Sequence, residues 1–261
     1  MNFAINPRRV TQILLAVIVA LVLLSVAGQY YKYFVGHDPA LLKLAAKLDL
    51  DGEENCLPTW YQVCTLFACF IGLGVITLAK RARQDRWTRR WGFLALAFLY
   101  LSLDESVSVH EQLNGLGHWF KNSIIHDLWV VPALLAVGVF GLAYLKFLRA
   151  LPSRTRVLFV VAGGVYVFGA AGMEIISGHY LDLHQASLVG GENFTYKMLD
   201  TVEETLEMLG VLIFLYAQLD YLERGALVPA LVGRRPTDEN QEYIYDSLGI
   251  TDGRNSVAHL G

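Results

Sequence analysis

The sequence predicts an all-α membrane protein: a bundle of six transmembrane helices with both termini in the cytoplasm. Three observations predict it. The 261 residues are 54% hydrophobic and 17% charged, with a mean hydropathy of +0.41, whereas soluble domains carry about a quarter charged residues. The apolar residues gather into six runs of about 20 residues, the length that crosses a hydrocarbon core. Lysine and arginine also alternate between the connections. Sixteen of the 21 fall before span one, between spans two and three, between spans four and five, and after span six. The positive-inside rule assigns that side to the cytoplasm.

Span one, at about 10–34, follows Asn6-Pro7-Arg8-Arg9. Its apolar stretch exceeds the roughly 7–15 residues of a signal-peptide core and runs into Tyr30, Tyr31 and Tyr33, which suit a membrane interface. It is expected to be an uncleaved helix. The 36–58 connection is then periplasmic. Within it, Ala40 to Leu48 has the apolar spacing of a short amphipathic helix; it either lies on the outer leaflet or packs on the bundle. Asp49 to Asn55 resembles the opening of an EF-hand loop, but lacks its sixth-position Gly and twelfth-position Glu.

Span two is expected at 59–80, where Cys64 and Cys69 read as small apolar residues. Spans three to six are expected at 91–113, 128–149, 157–180 and 197–222. Residues 1–224 thus form the transmembrane domain. Residues 225–261, polar and without period, form a disordered cytoplasmic tail. No basic patch with interleaved aromatics is present, so nucleic acid is not an expected partner. The bilayer of a bacterial inner membrane is.

Ionisable residues inside spans are costly and mark functional sites by default. Here they concentrate on three helices at one depth. Span three carries Asp104, Glu105, His110 and Glu111, span five Glu174 and His179, and span six Asp200, Glu203, Glu204 and Glu207. Trp91 to Asp104 is about 20 Å of helix. Spans three and five run outward and span six inward, so all three groups meet in the periplasmic half. On span six the four acids fall within an arc of about 100°, a single acidic stripe. Eight carboxylates against His110, His179 and Lys197 need either bound protons or a bound cation.

The short metal motifs are absent: His110-Glu111 is not followed by a histidine at 114, and no Glu-x-x-His pair occurs. A carboxylate-rich set with one or two imidazoles suits divalent zinc, iron or manganese. The expected ligands are Asp104, His110, Glu111, Glu174, His179, Glu203 and Glu207, with Glu105 and Glu204 as acid/base groups. Such a centre could activate water against a lipid or lipophilic substrate reaching it from the outer leaflet. Two alternatives stay open: a proton- or cation-coupled transporter or channel using the same carboxylates, and a structural membrane subunit without ligand. The inner half has little polar lining beyond Gln218, Thr77 and Tyr166, and the chain has no paired Gly/Pro-broken spans; both absences favour a one-sided site.

Three stretches carry a resemblance. They are Leu48-Asp-Leu-Asp-Gly-Glu-Glu-Asn55 with Leu57-Pro-Thr-Trp-Tyr61, then Leu101-Ser-Leu-Asp-Glu105 with His110-Glu111, then Glu203-Glu-Thr-Leu-Glu-Met-Leu-Gly210. Together they resemble a family of bacterial polytopic inner-membrane proteins to which no activity is assigned. The resemblance covers most of residues 48–222 and implies the membrane class alone, with no function or site residue.

Overall fold

Helix starts are written into the chain. Asn6 accepts hydrogen bonds from the Arg8 and Arg9 amides ahead of Pro7, and Asp38 does the same for Ala40 and Leu41 ahead of Pro39. In both cases a capping side chain precedes a proline whose missing N–H is no loss in the first turn. In the computed structural model, which describes residues 6–50, 56–107, 130–184 and 193–224, all the regular elements are helical. Helix α1 is Pro7–Tyr30, continued by a π-helical turn at Tyr31–Val35. Helix α2 is Pro39–Leu48, α3 Leu57–Ala82 and α4 Thr88–Val107. Helix α5 is Val130–Arg149 and α6 Ser153–Val167. A second π-helical stretch, Phe168–Met173, joins α6 to α7, Glu174–His184. Helix α8 is Phe194–Arg224.

Five helical stretches are long and apolar enough to cross a membrane: Pro7–Val35, Leu57–Ala82, Val130–Arg149, Ser153–His184 and Phe194–Arg224. They match five of the six expected spans. The remaining one, expected at 91–113, is helical over Thr88–Val107 but is not among the five. Arg89, Arg90, Asp104 and Glu105 sit within those 20 residues, and residues 108–113 lie outside the described part. The 225–261 tail and residues 51–55 lie outside it as well.

Helix α8 is the centre of the bundle, packed by α1, α3 and α6, while α4 packs along α3. Towards the arginine-rich end, Trp91 is enclosed by Phe147, Phe159 and Tyr221, with ring centroids at 5.0, 6.0 and 5.1 Å. Phe214 stacks on Phe98 and Phe159 at 4.3 and 4.4 Å. A smaller cluster of Ile18, Leu21, Leu50, Met208 and Leu212 joins α1 to α8. Outward-facing positions are also apolar. Ile13, Leu23, Leu135 and Leu142 are each more than 60% exposed, a surface that water would not tolerate over such an area and that hydrocarbon would cover.

The predicted amphipathic helix exists, and it packs on the bundle. Ala45 of α2 faces Gly28 of α1, where an added Cβ would lie 3.1 Å from the alanine methyl. Leu41 and Leu44 point outward. The end of α2 is held by a polar clasp: Asp49 accepts from the Ser25 hydroxyl at 3.4 Å and from the Gln29 amide, while the Leu50 N–H donates to Ser25 at 3.1 Å. Asp49, the first residue of the EF-hand-like stretch, thus uses both carboxylate oxygens on α1.

Candidate functional site

The acidic stripe of α8 faces two close helix approaches. Gly169, in the π-helical stretch, lies so near α8 that an added Cβ would meet the Glu203 carbonyl and the Glu207 nitrogen at 3.1 Å. One turn further along α8, Gly210 lies against the backbone of Tyr166, at 2.8 Å from its nitrogen and Cβ on the same construction. Small residues permit this approach, as at many membrane-helix interfaces. The π-helical stretch Phe168–Met173 runs directly into Glu174; such turns recur at functional sites.

Two close side-chain pairs form at this crossing. The carboxyl of Glu203 lies beside that of Glu174, and the Tyr166 hydroxyl lies beside Glu207. A hydrogen bond between two carboxyls needs a proton on one of them, because an ionised carboxylate only accepts. The other expected acids gather round. Glu207 is within interaction range of Glu105, Glu174 and Asp104; Tyr166 is within range of Glu105 and Glu204; Glu203 is within range of Asp200. Lys197 supplies a cation, ion-paired to Asp200 at 3.6 Å with both side chains buried. Helix α4 is fixed at this level by the Ser102 hydroxyl, which donates to the Val63 carbonyl of α3 at 3.1 Å.

Of the expected acids, Glu174, Glu203 and Glu207 thus stand at one crossing, with Asp104, Glu105 and Glu204 within electrostatic range of Glu207 or Tyr166. His179 is exposed, about 140° round α7 from Glu174. His110 and Glu111 lie outside the described residues. Among the described residues, no three His, Cys, Asp or Glu side chains come together in an arrangement that could hold a metal ion; the expected zinc, iron or manganese centre is left as a proposal.

Two residues near this level of the bundle were not assigned to the site from the sequence. Tyr166 was counted with the inner-half lining, yet it lies beside Glu207. It stands near the C-terminal end of α6, and the small residue opposite it, Gly210, was the available signal. Gln62 is 1% exposed, with both amide atoms unpartnered among the described residues. It precedes Val63, so it stands at the level of Ser102 and the acids that follow it. A lone glutamine inside an apolar run was the signal there.

No curated protein and no solved structure matches this chain. A family model does: residues 13–222 match a domain of unknown function, DUF8692. That stretch covers all or most of each of the five membrane-length helices and the whole acidic crossing, and the chain belongs to this family.

Proposed function

We propose that this chain is a six-span membrane protein of the bacterial inner membrane, with both termini cytoplasmic, and that its carboxyl–tyrosine crossing takes up and releases protons or small cations from the outer side. In this reading α4 crosses the membrane as the third span, its charged ends lying at the two interfaces. The observation that carries the functional reading is the close Glu174–Glu203 carboxyl pair, with Glu207 beside Tyr166 on the next turn of α8. Carboxyls that share a proton in a low-dielectric bundle are the usual parts of membrane proton relays. The adjacent π-helical stretch supplies a deformable turn through which occupancy of the site could move α7 relative to α6.

The second reading is a metal-dependent enzyme acting on a lipid or lipophilic substrate. It is supported by the density of oxygen donors around Glu207, which a divalent cation would neutralise in place of protons. Sequence alone favours that reading; the close carboxyl pair, which a shared proton would join, reverses the order. Infrared spectroscopy of the protein in nanodiscs, combined with elemental analysis, separates the two. A protonated-carboxyl band that Glu203→Gln removes, without stoichiometric metal, supports proton binding. No such band, together with one tightly held metal ion per chain, overturns it in favour of the enzyme.

A further inference from the structure

A second polar feature sits at the opposite, arginine-rich end. The turn after α3 is tightly built: Gln84 adopts a left-handed φ of 53°, and Asp85 accepts from the Trp87 N–H at 2.7 Å and from the Lys80 ammonium at 3.0 Å. Asp85 is thereby spent on Lys80 and the backbone, and the next residue, Arg86, is turned outward with its guanidinium 4.9 Å from the Trp87 ring centroid. Trp87 packs edge-on against Phe147 of α5 at 5.8 Å. This contact brings Arg86 beside Lys146 and Arg149 of the last turns of α5. Arg86, Trp87, Lys146, Arg149 and Ala150 line an open groove of about 510 Å³. Among the described residues, no carboxylate is ion-paired with Arg86, Lys146 or Arg149.

We infer that this groove binds the phosphodiester headgroup of an anionic phospholipid. Three cations converging, with no counter-charge paired to them among the described residues, suit a phosphate. Basic pockets between membrane helices at an interface are a known form of lipid-headgroup site, and tryptophan is enriched at that depth. What favours a lipid over free phosphate is the surface leading out of the groove. Leu142 and Leu145 are exposed and share a face of α5 with Arg149 at spacings of seven and four residues, so acyl chains would run down an apolar stripe directly below the cations. A water-borne phosphate would have no use for that stripe.

The test uses the full chain in detergent, titrated with a fluorescent phosphatidylglycerol, with fluorescent phosphatidylcholine as the uncharged-headgroup comparison and inorganic phosphate as competitor. The triple variant Arg86→Gln/Lys146→Gln/Arg149→Gln is expected to bind phosphatidylglycerol at least about tenfold more weakly, since each basic residue near a lipid surface contributes several-fold. Arg8→Gln/Arg9→Gln/Arg83→Gln removes the same charge from exposed positions at the same end and is expected to keep wild-type binding. Arg149→Gln alone, at an exposed position, guards against a misfolded triple variant and is expected to show a several-fold loss. An equal loss in both triple variants, or phosphatidylcholine bound as tightly as phosphatidylglycerol, overturns the site. Complete displacement of the lipid by millimolar inorganic phosphate overturns the lipid assignment.

Discussion

Gly210 of α8 touches the backbone of Tyr166 on α6, so that a side chain at 210 would begin 2.8 Å from the tyrosine nitrogen. This contact sets the spacing at which the Tyr166 hydroxyl reaches Glu207. Both partners at the approach are backbone or Cβ atoms, which cannot swing aside. Gly210→Ala is therefore expected to cost about 1–3 kcal/mol by forcing the helices apart, read as a lower melting temperature in detergent. Gly74→Ala, in α3 with nothing within 4 Å of the added methyl, is the matched comparison. It should be neutral or stabilise by up to about 1 kcal/mol, because alanine is the better helix former. Equal effects at the two positions would show that the crossing is looser than described.

The clasp between α1 and the chain leaving α2 gives a second expectation. Asp49 is 7% exposed and accepts from Ser25 and Gln29, themselves nearly fully buried. Asp49→Ala strands both donors and is expected to cost about 1–3 kcal/mol. Asp49→Asn keeps one acceptor oxygen and should cost less. Thermal unfolding of the two variants ranks them, and an unchanged alanine variant would remove the clasp from the account of how α2 is held.

Membrane class was legible because burial in lipid is read from a one-dimensional quantity, the length of an apolar run. The acidic stripe of α8 was legible for a related reason: one helix fixes the relative angles of Asp200, Glu203, Glu204 and Glu207. What lay beyond the sequence were relations between helices. Tyr166 could be placed only once Gly210 fixed which turn of α8 it meets. The π-helical stretch at Phe168–Met173 inserts extra residues into a turn, and hydropathy does not register that. His179 shows the same limit in reverse: it shares a helix with Glu174 but faces outward. The third expected span was judged by its apolar residues, while the charges at its two ends separate it from the five plainly membrane-length helices.

Orientation is open to direct measurement. In the six-span arrangement sixteen of the 21 lysines and arginines fall on one side, so a reporter fused after Arg224 is expected to give a cytoplasmic signal and one inserted in the 36–58 connection a periplasmic signal. Because Arg224 ends the last span, the first result also counts the spans: an even number puts it with the N-terminus, and an odd number, as if α4 did not cross, puts it opposite. A periplasmic signal after Arg224 would place the acidic crossing differently across the membrane and remove the outer-side access on which the functional reading depends.

The paired carboxyls give the most informative variants. In Glu203→Gln the side-chain amide can donate to Glu174 and replace the shared proton, so the fold should be kept while the protonated-carboxyl signal is lost. Glu203→Ala offers nothing to Glu174 and is expected to cost about 1–3 kcal/mol. Glu174→Ala should cost a similar amount, and the double variant should fall short of the sum by about 0.5–3 kcal/mol, because the second change breaks a bond already broken. Glu207→Gln keeps an oxygen that can accept from the nearby Tyr166 hydroxyl and should also fold. If the site instead holds a divalent cation, Glu174→Gln and Glu207→Gln lower metal content sharply, since the amide lacks the charge such an ion requires. Elemental analysis then falls in step with activity or stability, and the infrared signal does not change. Glu54→Gln, in the 36–58 connection, is the comparison for both assays and is expected to match wild type. Additive losses at 174 and 203, with neither a proton signal nor a metal, would reduce the crossing to helix packing and leave the structural-subunit reading in its place.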